Sequence, residues 1–209
     1  MHKKKASSKK TSKKPAKAVP QISAGMEDFK KQFLKALSRE DTAGIPLAKL
    51  DAIISRHWRL HQSRRSKLAL IEVSNPIDST HGWTDAHTVI DITCDDMAFV
   101  IDSVTSLLAE KSYLIEIILH PLLSLKESQR QSHLFIQLGR RLTDLQIIEL
   151  REELLSVIDD VRDGTRDWLQ IKAQVKQCQA ALQNAPKIPP EEMQEFVDFI
   201  NYIHDDNFT

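Results

Sequence analysis

Residues 87–111 read HTVIDITCDDMAFVIDSVTSLLAEK, and the spacing of their apolar residues changes part-way along. The first part, HTVIDITC (87–94), is rich in β-branched and apolar residues over the length of one strand. The second part, MAFVIDSVTSLLAEK (97–111), follows helical spacing. Its apolar stripe consists of Val100, Val104, Leu107 and Leu108. The stretch therefore predicts a strand that passes within a few residues into a helix.

Four neighbouring segments also predict regular structure. They are the strands KLALIEVS (67–74), YLIEIILHPLLSL (113–125) and SHLFIQLG (132–139) and the helix TDLQIIELREELLSVIDDVRD (143–163). The strand at 113–125 is expected to bend at Pro121, because proline lacks a ladder donor. A polar loop is expected before residue 132. Thr143 is a suitable N-cap for the helix, and Gly164 weakens or ends it.

The order β-β-α-β-β-α over residues 67–163 predicts the class of fold. A mostly antiparallel four-stranded sheet with two helices on one face is a ferredoxin-like α+β sandwich. In this arrangement the strand at 67–74 takes the place of the usual last strand and pairs beside 87–94.

Helical segments flank this central part. MEDFKKQFLKALS and LAKLDAIISRHWRLH precede it, and the second is expected to present one face made of Leu47, Leu50, Ile54, Trp58 and His61. WLQIKAQVKQCQAAL (168–182) and a final helix with proline at its start follow it. The predicted divisions are a disordered Lys-rich tail (1–22), an N-terminal helical segment (23–65), the α+β domain (66–163) and C-terminal helices (164–209).

Charge is distributed unevenly. Lys plus Arg and Asp plus Glu number 29 each, yet residues 1–20 hold eight lysines and no acidic residue. Without aromatic residues or arginine this tail offers no base-stacking surface, so nucleic acid is not the expected partner. No apolar run approaches the roughly 18 residues of a membrane span. Two distant cysteines, Cys94 and Cys178, and the absence of a secretory signal favour a cytoplasmic protein.

The usual catalytic motifs are missing from the sequence. With five glycines it has no phosphate-binding loop and no dinucleotide fingerprint. Ser103 beside Asp102 does not form a nucleophile arrangement, because adjacent helical residues point about 100° apart. His57 and His61 have ligand spacing but no third ligand, so no metal site is expected. We therefore assign no catalytic, cofactor-binding or metal-binding residue.

The turn of Asp95, Asp96, Met97 and Ala98 is the candidate site. A carboxylate between a strand and a helix caps free N–H groups, which favours a helix-capping role for Asp95 and Asp96. The alternative is an effector-binding turn, because free N–H groups at a helix start attract the carboxylate of an amino-acid-like ligand.

Four blocks of this chain resemble the N-terminal region of the large NAD-specific glutamate dehydrogenases. They are GWTDAHTVIDITCDDMAFVIDSV (82–104), LIEIILHPLL (114–123), DVRDGTRDWLQI (160–171) and EFVDFINYIHDDNFT (195–209). The departures are Ala98, where the family has proline, and the segment after Pro121, which lacks the family's Gly turn. The motif residues Asp102, Ser103, His120 and Pro121 have no assigned role, although a lone histidine at a strand end is most often structural.

The resemblance implies an ACT-like central domain with a regulatory or structural role. It implies NAD for the full-length enzyme, which oxidatively deaminates L-glutamate to 2-oxoglutarate, and no cofactor bound by this segment. We expect a chain that lacks the catalytic part and is inactive alone. Its expected partners are the remainder of that enzyme, or its homo-oligomer, and an amino-acid effector. The alternative is a stand-alone ACT-like amino-acid sensor or dimerisation module.

Overall fold

The computed structural model describes residues 24–65, 68–77, 83–126, 129–183 and 189–204. The helices are α1 (Ala24–Lys35), α2 (Leu47–Ser63), α3 (Val100–Glu110), α4 (Asp144–Thr165), α5 (Trp168–Gln183) and α6 (Pro190–His204). The strands are β1 (Leu70–Ser74), β2 (Val89–Asp95), β3 (Ile115–Leu119), β4 (Leu122–Lys126) and β5 (Gln129–Leu138). The predicted tail, residues 1–22, lies outside the described residues.

The strands form one antiparallel sheet in the order β1-β2-β5-β3, with β4 also paired to β5. The predicted pairing of the first two strands is confirmed, since Ile71 lies opposite Ile92. With helices packed on the sheet, the α+β, ACT-like class of fold is confirmed as well.

Over the described residues the sheet has five strands, where the sequence predicted four. The expected strand at 113–125 is divided at His120 and Pro121 into β3 and β4. Both remain on the same edge of β5, with Leu119 opposite Phe135 and Leu122 opposite Ser132. Proline cannot donate to the ladder, so the bend expected there becomes a break. The polar loop predicted before residue 132 is partly strand, because β5 already begins at Gln129.

The first face of the sheet is apolar and is covered by α3 and α4. Its fully buried centre comprises Ile90, Ile92, Cys94, Val104, Leu108, Leu134, Ile136, Leu138, Leu154 and Ile158. Helix α4 begins with the predicted cap: the Thr143 hydroxyl accepts a hydrogen bond from the Gln146 N–H, and the Gln146 side chain accepts one from the Thr143 N–H. This reciprocal arrangement satisfies two N–H groups that the helix cannot pair internally.

The second face is covered by α1 and α2, so the sheet lies between two helical layers. The apolar part of this layer comprises Phe29, Phe33, Leu50, Ile53, Ile54, Trp83, Val89, Leu119, Leu123 and Phe135. The predicted inner face of α2 was partly wrong, because Leu47 is 81% exposed while Arg56 and His57 are buried. Apolar residues alone do not define this helix face, since it also contributes buried polar side chains.

The C-terminal helices α5 and α6 pack against each other. Pro190 is the first residue of α6, as predicted, where its missing N–H costs nothing. None of the described helices is both long and apolar enough to cross a membrane. The divisions at residues 23, 66 and 164 stay predictions.

Candidate functional site

The turn between β2 and α3 is held by two arginines. Asp95 ends β2, and its Oδ1 lies 2.8 Å from Nη1 of Arg64. The Asp96 N–H donates to the Arg130 carbonyl at 3.1 Å, and the Asp96 carboxylate lies 3.5 Å from Nε of Arg130. These contacts fasten the turn to the end of α2 and the start of β5.

The helix-capping role predicted for Asp95 and Asp96 is wrong. The N-cap of α3 is Phe99, and no side chain bonds to the cap. Helix α3 begins at Val100, four residues after Asp96, which is too far along the chain for the capping geometry. The two carboxylates instead form ion pairs with Arg64 and Arg130.

Phe99 adopts a left-handed backbone conformation, with φ of 66°, immediately before α3. This region costs a residue with a side chain roughly 1–2 kcal/mol. Phe99 is 50% exposed. The strained backbone directs the chain abruptly from strand to helix.

A cavity of about 390 Å³ opens beside this turn. Three of the predicted site residues, Asp96, Met97 and Ala98, line it, and Asp95 does not. The other lining residues are Phe99, Gly164, Thr165 and Trp168. The sequence did not indicate the last three, because they come from the end of α4 and the start of α5, more than 60 residues further along the chain.

The structure does not bring the other motif residues to this cavity. Asp102 is an exposed residue in the first turn of α3, where a negative charge is favourable to the helix dipole. Ser103 donates its backbone N–H to the Phe99 carbonyl at 2.9 Å. His120 Nε2 lies 2.7 Å from the Ser132 hydroxyl, and the Pro121 carbonyl accepts from the His133 N–H. Burial lowers the pKa of His120, in keeping with a structural residue.

A group of buried polar side chains, which the sequence did not predict, lies between α2 and the sheet. Arg56 and His57 of α2 meet Asp91 and Thr93 of β2 and His133 of β5, and all five are buried. The Arg56 guanidinium donates to the Asp91 carboxylate and to the Ser74 hydroxyl. His57 Nε2 lies 3.4 Å from Asp91, and the His133 ring lies 3.2 Å from the Thr93 hydroxyl.

Both histidines of this group are neutral. Burial, followed by the charge of Arg56, lowers the pKa of His57 to about 3. Burial, followed by neighbouring histidines, lowers the pKa of His133 to about 2. His61, the second member of the His57/His61 pair, contacts Gln131 at 2.9 Å instead. Within the described residues, no group of three or more His, Cys, Asp or Glu side chains is arranged to hold a metal ion.

The alternation of polar and apolar residues in β2 is the sequence feature that could have indicated this buried polar group. Asp91 and Thr93 alternate with Ile90, Ile92 and Cys94, which is also typical of a strand with one solvent-facing side. The covering of that side by α2 depends on contacts between distant segments. The alternation of polar and apolar residues within β2 therefore does not show whether its polar face is solvated or buried in ionic contacts.

Comparison with known proteins identifies the family. The sequence model described as "Glutamate dehydrogenase, ACT1 domain" matches residues 29–154, which is more than half of the chain. This chain belongs to the glutamate dehydrogenase ACT1 domain family. The matched range begins inside α1 at Phe29 and contains α2, α3, the five described strands and the first half of α4.

Relatives of this ACT1 domain chain are much longer proteins. The NAD-specific glutamate dehydrogenase of Pseudomonas aeruginosa is 24% identical over 212 residues, covering 92% of this chain and 13% of the relative. The NAD-specific glutamate dehydrogenase of Halomonas elongata is 24% identical over 206 residues, covering 89% and 13%. The chain thus spans about 13% of the length of the curated relatives it matches.

The ACT1 match contains one wall of the cavity and not the other. Asp96, Met97, Ala98 and Phe99 lie within residues 29–154, whereas Gly164, Thr165 and Trp168 follow them. The cavity is therefore formed where the ACT1 region meets the C-terminal helices.

Proposed function

We propose that this chain is the regulatory or structural part of an NAD-dependent glutamate dehydrogenase, which oxidatively deaminates L-glutamate to 2-oxoglutarate. The observation that carries the proposal is the ACT1 match together with two relatives named as NAD-specific glutamate dehydrogenases. In this proposal NAD and the reacting groups belong to other parts of the enzyme, since residues 1–209 carry no dinucleotide fingerprint.

The test is a measurement of NADH formation by purified residues 1–209 with L-glutamate and NAD. We expect no turnover above a sample without protein. NADH formation that copurifies with the chain would overturn the assignment of a non-catalytic part.

The proposed partners are the remainder of the glutamate dehydrogenase chain, or its homo-oligomer, in the cytoplasm. Sparing use of cysteine agrees with a reducing compartment. Exposed apolar residues outside the cavity, such as Phe196 and Phe199 of α6, are suited to contacts with further protein. Sedimentation of the chain alone and mixed with a glutamate dehydrogenase lacking this region tests the partnership. No change in sedimentation on mixing would contradict it.

A second candidate function is a stand-alone module that senses amino acids. The cavity beside Asp96–Phe99 favours it, because described residues of this one chain form its walls. Calorimetry with each common amino acid separates the candidates. Binding without any association with the remainder of the enzyme favours the stand-alone sensor, and the reverse favours the enzyme part.

A further inference from the structure

Helix α6 is acidic and has one apolar side. Its fifteen residues include four acidic side chains and no lysine or arginine. Met193, Val197 and Ile200 are half-buried, and their spacing of four and three places them on one side of the helix. Because α6 packs against α5, this apolar side is the one that contacts the neighbouring helix. The opposite side of α6 therefore points away from α5.

The side that points away from α5 combines carboxylates with aromatic rings. Glu192, Glu195, Phe199 and Tyr202, here called the outer face of α6, are three or four positions apart and so lie on one side of the helix. Both glutamates are exposed, and Phe199 and Tyr202 are 60% and 57% exposed. A cationic side chain with a long apolar stem suits this surface, because it contacts a ring and a carboxylate together.

The acidic residues of α4 differ from those of α6, because basic residues lie next to them. Glu153 pairs with Lys111 of α3, and Asp159 pairs with Arg162 one turn along α4. Helix α6 has no basic residue at any such position, since it contains neither lysine nor arginine. A cationic segment therefore gains more from contact with α6 than from contact with α4.

The Lys-rich tail of this chain has the matching chemistry. Residues 1–20 contain eight lysines and no acidic residue. A lysine ammonium is attracted to the face of an aromatic ring, and the α5–α6 hairpin already contains one such contact. There the Lys172 ammonium lies 5.5 Å from the centre of the Trp168 ring.

The tail is also long enough to reach α6. Residues 1–23 precede α1, and a chain of that length spans up to about 75 Å when extended. A compact domain of the size of this protein has a radius of gyration of about 17 Å. The length of the tail therefore does not limit which part of the domain it contacts.

We propose that the Lys-rich tail binds the outer face of α6 in the same molecule. Lysine ammonium groups pair with Glu192 and Glu195, and lysine stems cover the rings of Phe199 and Tyr202. Because the charges are exposed, the contact is reversible and weakens as salt is added. This inference is independent of the proposed function, and it assigns the tail a partner within its own chain.

The first measurement is the distance between the tail and the α5–α6 hairpin. One spin label is attached to Cys178, which is exposed on α5, and a second to the thiol introduced by Ser12→Cys among the tail lysines. Cys94 is buried and should remain unlabelled. We expect short, narrowly distributed distances at about 20 mM salt and a broad distribution at about 1 M salt, where surface charges are screened. The same distribution at both salt concentrations would overturn the proposal.

Reversal of charge tests whether α6 is the site. A chain with Glu192→Lys and Glu195→Lys should give the broad distribution at low salt as well. The matched control is Glu149→Lys with Glu152→Lys, which reverses two exposed acidic residues at the same spacing on α4. This control changes the net charge by the same amount and should keep the narrow distribution. Equal broadening in the two chains would show a general attraction to acidic residues and would overturn α6 as the site.

A ring substitution tests the aromatic part of the outer face. Phe199→Ala should broaden the distribution in part, because the two carboxylates remain. The comparison is Leu145→Ala, which removes an apolar side chain of α4 that is 64% exposed and should leave the distribution unchanged. If Phe199→Ala has no more effect than Leu145→Ala, the rings do not contribute to the contact.

An exchange of charges tests the pairing without relying on a loss of signal. The chain with Glu192→Lys and Glu195→Lys receives four further substitutions in the tail, Lys9→Glu, Lys10→Glu, Lys13→Glu and Lys14→Glu. Opposite charges then face each other again, so the narrow distribution should return at low salt. A distribution that stays broad, in a chain with the circular dichroism of the parent, would contradict direct pairing.

Dilution with unlabelled chain distinguishes contact within one molecule from contact between two. We expect the short distances to persist in a large excess of unlabelled chain, because both labels are on the same molecule. Loss of the short distances would show that the tail binds a second copy and would overturn the assignment to the same molecule.

Discussion

His57 of α2 and His133 of β5 face each other with their Nδ1 atoms 3.3 Å apart, in the buried layer between helix and sheet. A contact of this kind requires one ring to donate and the other to accept, so the accepting ring is neutral. The lowered pKa values of both histidines keep the donating ring neutral as well. His57 also lies against Asp91, and His133 against Thr93. The layer is therefore assembled around two neutral histidines.

The first prediction is that acid weakens this protein through the two histidines. Their pKa values are lowered to about 3 and about 2 in the folded chain, against 6.5 for the ordinary group. Below pH 6.5 the unfolded chain therefore binds more protons than the folded chain. The contribution of the two histidines to stability is fully present above that pH and is lost as the pH falls. The free energy of unfolding should fall by up to about 1.4 kcal/mol per pH unit for each histidine as pH drops towards 3.

Urea unfolding between about pH 8 and about pH 4 measures this slope. A His57→Leu chain should lose about half of it, because one titrating group remains. Equal slopes in the two chains would show that the histidines are not responsible.

The second prediction concerns the buried pair of Arg56 and Asp91, which are 3% and 0% exposed. Asp91→Asn or Arg56→Met alone should cost about 3–5 kcal/mol, because each leaves a buried charge without its partner. Combining Arg56→Met with Asp91→Leu should cost less than either single change. The urea midpoints of the parent chain, the two single variants and the double variant test this order. The comparison is Lys30→Ala, which breaks an exposed pair with Asp51 and should cost at most about 0.5 kcal/mol.

The third prediction tests the capping box that begins α4. Thr143→Ala removes the hydroxyl that accepts the Gln146 N–H and should lower the free energy of unfolding by about 1 kcal/mol. Thr143→Ser keeps that hydroxyl and should retain most of the stability. Thermal unfolding of the three chains is the measurement, and equal midpoints for Thr143→Ala and the parent chain would contradict the role of the cap.

The fourth prediction compares two glycines with open space around them. A methyl group at Gly164 or at Gly44 would contact nothing within 4 Å. Gly164 lies in α4, so Gly164→Ala should stabilise by about 0.5–1 kcal/mol. Gly44 has φ of +81°, so Gly44→Ala should destabilise by about 1 kcal/mol. Opposite shifts in the urea midpoint are expected, and shifts of the same sign would argue against backbone conformation as the cause.

The fifth prediction is that one thiol reacts rapidly. Cys178 is exposed on α5, whereas Cys94 is buried in β2, where burial raises its pKa to about 11. A chromogenic disulfide at neutral pH should label one thiol in the folded chain and two in urea. Rapid labelling of both without urea would mean that the sheet core opens readily.

The local sequence was sufficient to predict the features that depend on residues close together in the chain. The strand-to-helix passage at residues 87–111, the cap at Thr143 and the proline start of α6 all depend on residues a few positions apart. Each of these features acts within one element: the spacing of apolar side chains, the hydroxyl at the start of a helix, and the proline that lacks an N–H. Their effects can therefore be recognised in one stretch of chain.

Contacts between distant segments decided the rest. Asp95 and Asp96 satisfied the local pattern of a helix cap, but both carboxylates pair with arginines, Arg64 just after α2 and Arg130 in β5. The residues of β2 alone do not show whether the second face of the sheet is solvated or covered, and α2 covers it with Arg56 and His57. Trp168 joins the Asp96–Phe99 turn only after α4 has crossed the sheet. The amino-acid sequence thus defines the strands, helices and caps, while the cavity and the buried ionic layer arise from long-range packing, because burial and charge pairing depend on which segments meet.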